Sequence, residues 1–237
     1  MKIRQPLLLF TMRISILIAL ISGLSFLNLS AQDYFRIGVD FTTKTKPADG
    51  KSNLTKGKVF YDKYSKELIY DIYFPEKEKW VVQDSHIYKL INDSVYFSEE
   101  IPSLNDFTIF HLALNSDLTY FGLDKANYAI SKVDKKGDLI VTYWKIPPQI
   151  QKMIGSIAVA RKDDSLHSVI ISNGDFQISS KQFFRDYIRI GGFEFPGTVV
   201  QIFYDSEQKE NYQVMEFKNI VLNDIQNEAN YHYKLER

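Results

Sequence analysis

The residues of this chain best suited to acid–base or metal chemistry are its four histidines, His86, His111, His167 and His232. No two share a metal-ligating spacing, and the chain has no cysteine to complete a site. Each reads as a surface or half-buried histidine. The acidic pairs Glu99-Glu100 and Asp163-Asp164 lie at segment ends beside turn signals. They read as solvated turns, because general acid–base work needs a carboxyl shifted by burial or by a neighbour. There is no G-x-S-x-G elbow, no Walker loop and no G-x-G-x-x-G. Gly191-Gly192, between Ile190 and Phe193, predicts a bulge or bend within a strand. Asn53-Leu54-Thr55 and Asn92-Asp93-Ser94 match the glycosylation pattern. The chain therefore predicts no metal, no cofactor and no catalytic centre, and is read as a non-enzyme. What it holds in quantity is aromatic surface: 17 Phe, 15 Tyr and 2 Trp. An apolar ligand site requires that supply and little polar chemistry.

The elements that must position these side chains are mostly strands, because alternation with period two dominates. Leu68, Tyr70, Ile72 and Phe74 form one apolar face before Pro75. Val59 and Tyr61 precede them; Trp80 and Val82 follow, and Asp84-Ser85 turns the chain into Ile87–Ile91. Gly137 separates two further runs, and Asn173-Gly174 gives a tight-hairpin signal because both residues tolerate positive φ. Val199–Tyr204 and Tyr212–Val221 flank a charged hairpin loop. The expectation is about ten or eleven strands in a single curved antiparallel sheet forming an incomplete, half-open β-barrel, a mainly β fold with α.

One segment departs from that pattern. Ser103–Asp106 resembles a capping box with Asp in place of Glu. Leu104, Phe107, Phe110, Leu114 and Leu118 then recur at helical spacing. A helix over the concave side is expected, either as a plug that buries core or as a movable lid over a cavity. A second short helix is expected at Pro147-Pro148. Thr45–Thr55 reads as a polar, mobile loop.

The N-terminus adds a location. Lys2, Arg4 and Arg13 precede a mainly apolar run from Ile14 to Leu29, and Ala31 offers a small residue for cleavage. Residues 1–31 read as a signal peptide and 32–237 as one domain. The rival reading is an uncleaved membrane anchor, since ~20 apolar residues span a bilayer, although Arg13 interrupts the stretch. The chain carries 29 basic and 29 acidic residues; removing Lys2, Arg4 and Arg13 leaves 26 against 29, a net of −3. That balance argues against nucleic acid as a partner. The lack of cysteine removes both disulfides and a lipoprotein-type anchor, so a soluble periplasmic monomer is expected.

In order along the chain stand Phe41-Thr42, Gly57 to Tyr61 (GKVFY), Leu68 to Pro75 (LIYDIYFP) and Trp80 to Asp84 (WVVQD). Phe193 to Pro196 (FEFP) and Tyr212–Asn223 follow in the second half. This succession resembles the outer-membrane lipoprotein carriers of the LolA/LolB-like superfamily over most of Phe35–Asn223. The resemblance implies a half-barrel whose apolar cavity takes lipoprotein acyl chains or other lipid. An inner-membrane donor complex and an outer-membrane acceptor are the implied partners. It further implies that Leu68, Tyr70, Ile72, Trp80 and Val82 line the cavity and that Phe107, Phe110 and Leu114 form the lid. Lys63, followed by Tyr64, stands where the family holds Arg-Pro as a switch. Lysine lacks the forked hydrogen bonds of arginine, so Lys63 is a switch candidate or a solvated turn residue. The lead before the first strand is short, and Asp84-Ser85 replaces an Asp-Gly turn. The expected role is a carrier or binder of acylated ligands. The alternative is an exported envelope sensor or protein-interaction module on the same fold.

Overall fold

A computed structural model of the chain describes residues 33–100, 108–126 and 128–235. The signal segment 1–31 and Ser103–Phe107, including the lid residue Phe107, lie outside the described residues. Among the latter, no helix is long and apolar enough to cross a membrane.

The chain runs β1 (Arg36–Lys46), β2 (Asn53–Asp62), β3 (Leu68–Phe74), β4 (Glu78–Gln83), β5 (His86–Ile91) and β6 (Ser94–Glu100). A short helix α1 (Ile109–Leu114) follows, then β7 (Ile130–Lys136), β8 (Leu139–Trp144), β9 (Ser156–Lys162) and β10 (Ser165–Ser172). The chain ends with β11 (Ile178–Ile190), β12 (Phe193–Tyr204) and β13 (Glu210–Leu222). All belong to one sheet ordered β6-β5-β4-β3-β2-β1-β13-β12-β11-β10-β9-β8-β7. Every adjacent pair is antiparallel, and every pair is sequential except β1 with β13, which joins the two meanders. Among the described residues β6 and β7 are the edge strands, and the curved sheet is not closed into a barrel. This is the half-open architecture expected, with thirteen strands rather than ten or eleven. The extra strands include β6, which is exposed along its whole length and so carries no buried face to alternate.

Two-residue turns drive the meanders. Asp84-Ser85, Asn92-Asp93 and Asp163-Asp164 all have both residues at positive φ, between 49° and 65°, the geometry that matches strand twist. Three turn expectations need correction. Gly191-Gly192 connects Ile190 to its partner Phe193 as a hairpin turn, not a bulge. Asn173-Gly174 does open a hairpin, but its loop runs to Gln177: the Asn173 side chain accepts from the Asp175 and Gln177 amides, and Phe176 takes the positive φ. Gly174 is there because a Cβ would lie 2.4 Å from the Lys152 carbonyl oxygen. The stretch read as a loop over Thr45–Thr55 is strand at both ends, since β1 runs to Lys46 and β2 starts at Asn53.

The main core lies on one face of the sheet. Ile37, Val59, Tyr61, Val159, Val169 and Phe195 are fully buried there, together with Leu112 and Leu114 of α1. The helix is shorter than its sequence pattern. Thr108, not Ser103, caps the described helix: its hydroxyl accepts from the His111 amide at 3.2 Å. Leu118 is buried beyond the helix, in a run of turns. α1 packs on β1 and β12, and His111 Nδ1 lies 2.7 Å from the Tyr61 hydroxyl. The expected short helix at Pro147-Pro148 is a single 3₁₀ turn, Pro148–Ile150. On the opposite face Ile69, Val81 and Leu90 form a smaller cluster, covered by Tyr233 and Leu235 of the C-terminal segment.

Candidate functional site

Burial along β1 falls from complete at Ile37 to slight near Lys46. The same gradient holds across its neighbours, so one end of the concave face is packed and the other is a groove. Two adjoining hollows of about 320 and 350 Å³ occupy it, sharing Phe41, Thr43, Tyr70, Thr108, Gln213 and Met215. The first extends under Ile109 and Phe110 of α1 and reaches Phe184 and Phe217. The second extends over Leu68, Ile72, Trp80 and Val82 to Ile87. A wider, more exposed hollow at the open end shares Thr55, Ile72 and Trp80 with it and includes Glu76 and Glu78.

Period-two alternation explains the lining. Cross-strand pairing puts Tyr61, Leu68 and Val82 in one row and Val59, Tyr70 and Trp80 in the next. Phe41 opposes Gly57, where the register shifts. A Cβ on Gly57 would lie 2.5 Å from the Asp71 carbonyl oxygen and 2.8 Å from the Phe41 ring, so only glycine lets this bulge pass under the aromatic floor. Phe41 meets Tyr70 edge-on at 5.6 Å, and Tyr70 meets Trp80 at 6.0 Å. Phe110 stacks on Phe195 and meets Phe217 edge-on, both at 5.8 Å.

The inner part of the groove is electrically neutral: among the described residues, no Asp, Glu, Lys, Arg or His lines either of the two inner hollows. Burial pushes the Tyr70 phenol up to about 12, so it stays protonated at any physiological pH. Such a lining disfavours an ionised ligand and favours hydrocarbon.

Of the residues expected from sequence, Leu68, Tyr70, Ile72, Trp80 and Val82 all line the second hollow, and Phe110 lines the first. Leu114 is buried in the core and lines neither hollow. Lys63 sits in the β2–β3 turn; its amide donates to the Phe35 carbonyl at 2.8 Å and its ammonium lies 5.8 Å from the Tyr64 ring. It too lines neither hollow. Sequence reasoning missed the contribution of β11–β13, namely Phe184, Val199, Met215 and Phe217 with Gln182, Gln201 and Gln213. The signal was present as alternation in 182–184, 199–201 and 213–217, but which strands face one another is not written in a period of two.

No metal-ligating group of three or more His, Cys, Asp or Glu occurs among the described residues. The histidines are dispersed. His86 approaches the Asp84 carbonyl, His111 binds Tyr61, and His167 contacts the Ser168 hydroxyl. His232 bridges Glu67 at 2.6 Å and Arg36 at 3.0 Å. Arg36 in turn donates to Asp62 at 2.6 Å, a buried ion pair on the opposite face of the sheet, against Tyr231 of the C-terminal segment.

No protein-family model matches the sequence, and no curated protein matches it. Solved structures do. A LolA superfamily protein from Nitrosomonas europaea superimposes with a TM-score of 0.56 at 10% identity, covering 85% of this chain and 92% of that one. A DUF1329 family protein from Desulfovibrio piger gives 0.60 at 12% identity, over 84% and 90%. An outer membrane lipoprotein-sorting protein domain from Vibrio parahaemolyticus gives 0.59 at 12% identity, over 82% and 88%. At these identities the likeness is one of fold.

Proposed function

We propose that this chain, a divergent LolA-like protein in its fold, is an exported, non-enzymatic carrier or binder of lipoproteins or other acylated ligands. Their acyl chains lie in the concave groove. The observation that carries this reading is the groove itself: aromatic, uncharged in its two inner hollows, and open at one end, where Glu76 and Glu78 stand. Its two inner hollows have room for hydrocarbon, and each buried CH₂ contributes about 0.8 kcal/mol. The ligand enters over Trp80 and Ile72, and α1 with Phe110 roofs the far part. Delivery to an outer-membrane acceptor, and loading from an inner-membrane donor, belong to this proposal, as do a periplasmic location and a cleaved signal.

Solvent extraction of the purified protein and mass spectrometry test the reading. Acylated molecules are expected on the wild type and not on Tyr70→Glu, whose carboxylate would stand in the neutral floor. A wild type that neither carries lipid nor takes it up would sink it. The second reading, a sensor or interaction module, draws on edge strand β6, where Val95, Tyr96 and Phe97 are exposed and, among the described residues, no strand pairs on the outer side.

A further inference from the structure

At the open end of the groove the apolar floor gives way to a different surface. Gln182 pairs with Gln201, Gln201 with Gln213, Gln213 with Thr45, and Thr45 with Asn53. The register therefore lays a belt of five neutral hydrogen-bonding side chains across β11, β12, β13, β1 and β2. The row directly inside it is Phe184, Val199, Met215, Thr43 and Thr55. All three glutamines line the first hollow or its extension and are half-buried. Their amide groups make no hydrogen bond to any described residue. Their amides remain open to the hollow, and three adjacent glutamines on the apolar face of a sheet contribute little to packing.

We propose that this belt is a subsite for the uncharged polar linkage of an amphiphile: the ester or amide carbonyls and hydroxyls of an acylglycerol-type group whose tails fill the groove. The inference rests on the acyl-binding reading and adds ligand class to it. The chemistry follows from the inventory of the belt. A glutamine amide donates two N–H bonds and accepts at its oxygen, so it satisfies ester carbonyls and glycerol hydroxyls alike. It offers no charge to an ionised carboxylate or phosphate, and no cation lines either inner hollow. A free fatty acid bound with its tail inside would bring an unpaired carboxylate to this half-buried row, which is costly. The period-two spacing also sets the geometry: the belt lies one row outside the apolar floor, where the linkage between head and tails falls if the tails point inward.

The test uses the purified full chain stripped of lipid and three probes: N-phenyl-1-naphthylamine, an uncharged apolar dye; 1-monooleoylglycerol; and oleate at pH 8. The dye is expected to bind the groove and to be displaced by monooleoylglycerol at concentrations at least about tenfold lower than by oleate. Gln182→Leu/Gln201→Leu/Gln213→Leu should weaken monooleoylglycerol by about tenfold, the loss of two or three neutral hydrogen bonds, and leave dye binding within about twofold. Gln201→Arg, a single substitution that guards against misfolding of the triple variant, should shift the preference toward oleate. Dye binding with equal displacement by both lipids, or an unchanged ratio in these variants, overturns the subsite while leaving the groove reading in place. No dye uptake by the wild type overturns the groove reading and the subsite with it.

Discussion

Asp62, through Arg36, ties β1 and β2 to the C-terminal segment on the face opposite the groove, and its removal should be among the most damaging single substitutions in the chain. Its Oδ2 accepts from Arg36 Nε at 2.6 Å, and its Oδ1 accepts from the Tyr64 and Ser65 amides at 2.8 and 3.0 Å. The two charged side chains are 9% and 4% exposed. Asp62→Ala deletes all three bonds and leaves a buried guanidinium whose remaining carboxylate partner, Glu228, is solvent-exposed. Breaking a buried pair costs about 3–5 kcal/mol. The Glu228 contact and the Asp224 carbonyl at 3.4 Å soften that, which places the expectation at about 3 kcal/mol. For a domain of this size the midpoint should fall by roughly 6–12 °C, read by far-UV circular dichroism at pH 7. The effect has a pH signature. Burial raises the Asp62 pKa, but the Ser65 amide, Arg36 and the Tyr64 amide outweigh it and hold the folded value below the usual carboxylate range. A depressed carboxyl contributes fully above its unfolded pKa and loses that contribution as pH falls through the lower folded value. The gap between wild type and variant should therefore narrow below about pH 4. The double variant Arg36→Met/Asp62→Leu should recover most of the loss, because an apolar replacement of both partners leaves no orphaned charge. A loss under about 1 kcal/mol for Asp62→Ala, or a gap independent of pH, would refute the argument.

Three further outcomes follow from the groove. Gly57→Ala should destabilise the fold by about 1–3 kcal/mol in urea unfolding, because the new methyl meets Asp71 and the Phe41 ring; unchanged stability would mean that the bulge relaxes. Tyr70, held up to about 12, should remain protonated when the exposed tyrosines ionise in an ultraviolet titration. Since the folded pKa is raised, its contribution is intact below the unfolded value near 10 and is lost as pH rises towards 12. Lys63→Ala should change lipid retention less than about twofold, because the side chain lines neither hollow; a large loss would restore the switch role implied by the family resemblance.

How much of this could be read beforehand differs from element to element. β3 and β4 were legible because Leu68, Tyr70, Ile72, Trp80 and Val82 alternate onto a common side, although Ile69, Val81 and Leu90 bury part of the opposite face as well. The same reasoning failed at β6, where all seven residues are exposed, and at β9, which the alternation did not single out although Val159 is fully buried. The helix pattern was real, yet Leu118 keeps its spacing through turns rather than helix, because burial and not backbone hydrogen bonding selected it. The far wall of the groove was invisible for a topological reason. β1 pairs with β13 across more than 160 residues of sequence, and local periodicity carries no information on that partnership. The glutamine belt exists only once the register of five strands is known.

The most direct test of acyl binding in the groove is to find where a bound chain lies. A monoacylglycerol carrying a diazirine in its acyl chain, bound to the purified protein and photolysed, marks the residues it touches, and peptide mass spectrometry locates them. Labelling is predicted on the β3 and β13 peptides around Tyr70 and Met215, both of which line the two inner hollows, with little label on Tyr70→Glu. Label concentrated on the β6 edge around Val95 and Phe97, or on the C-terminal segment covering the opposite face, would contradict it.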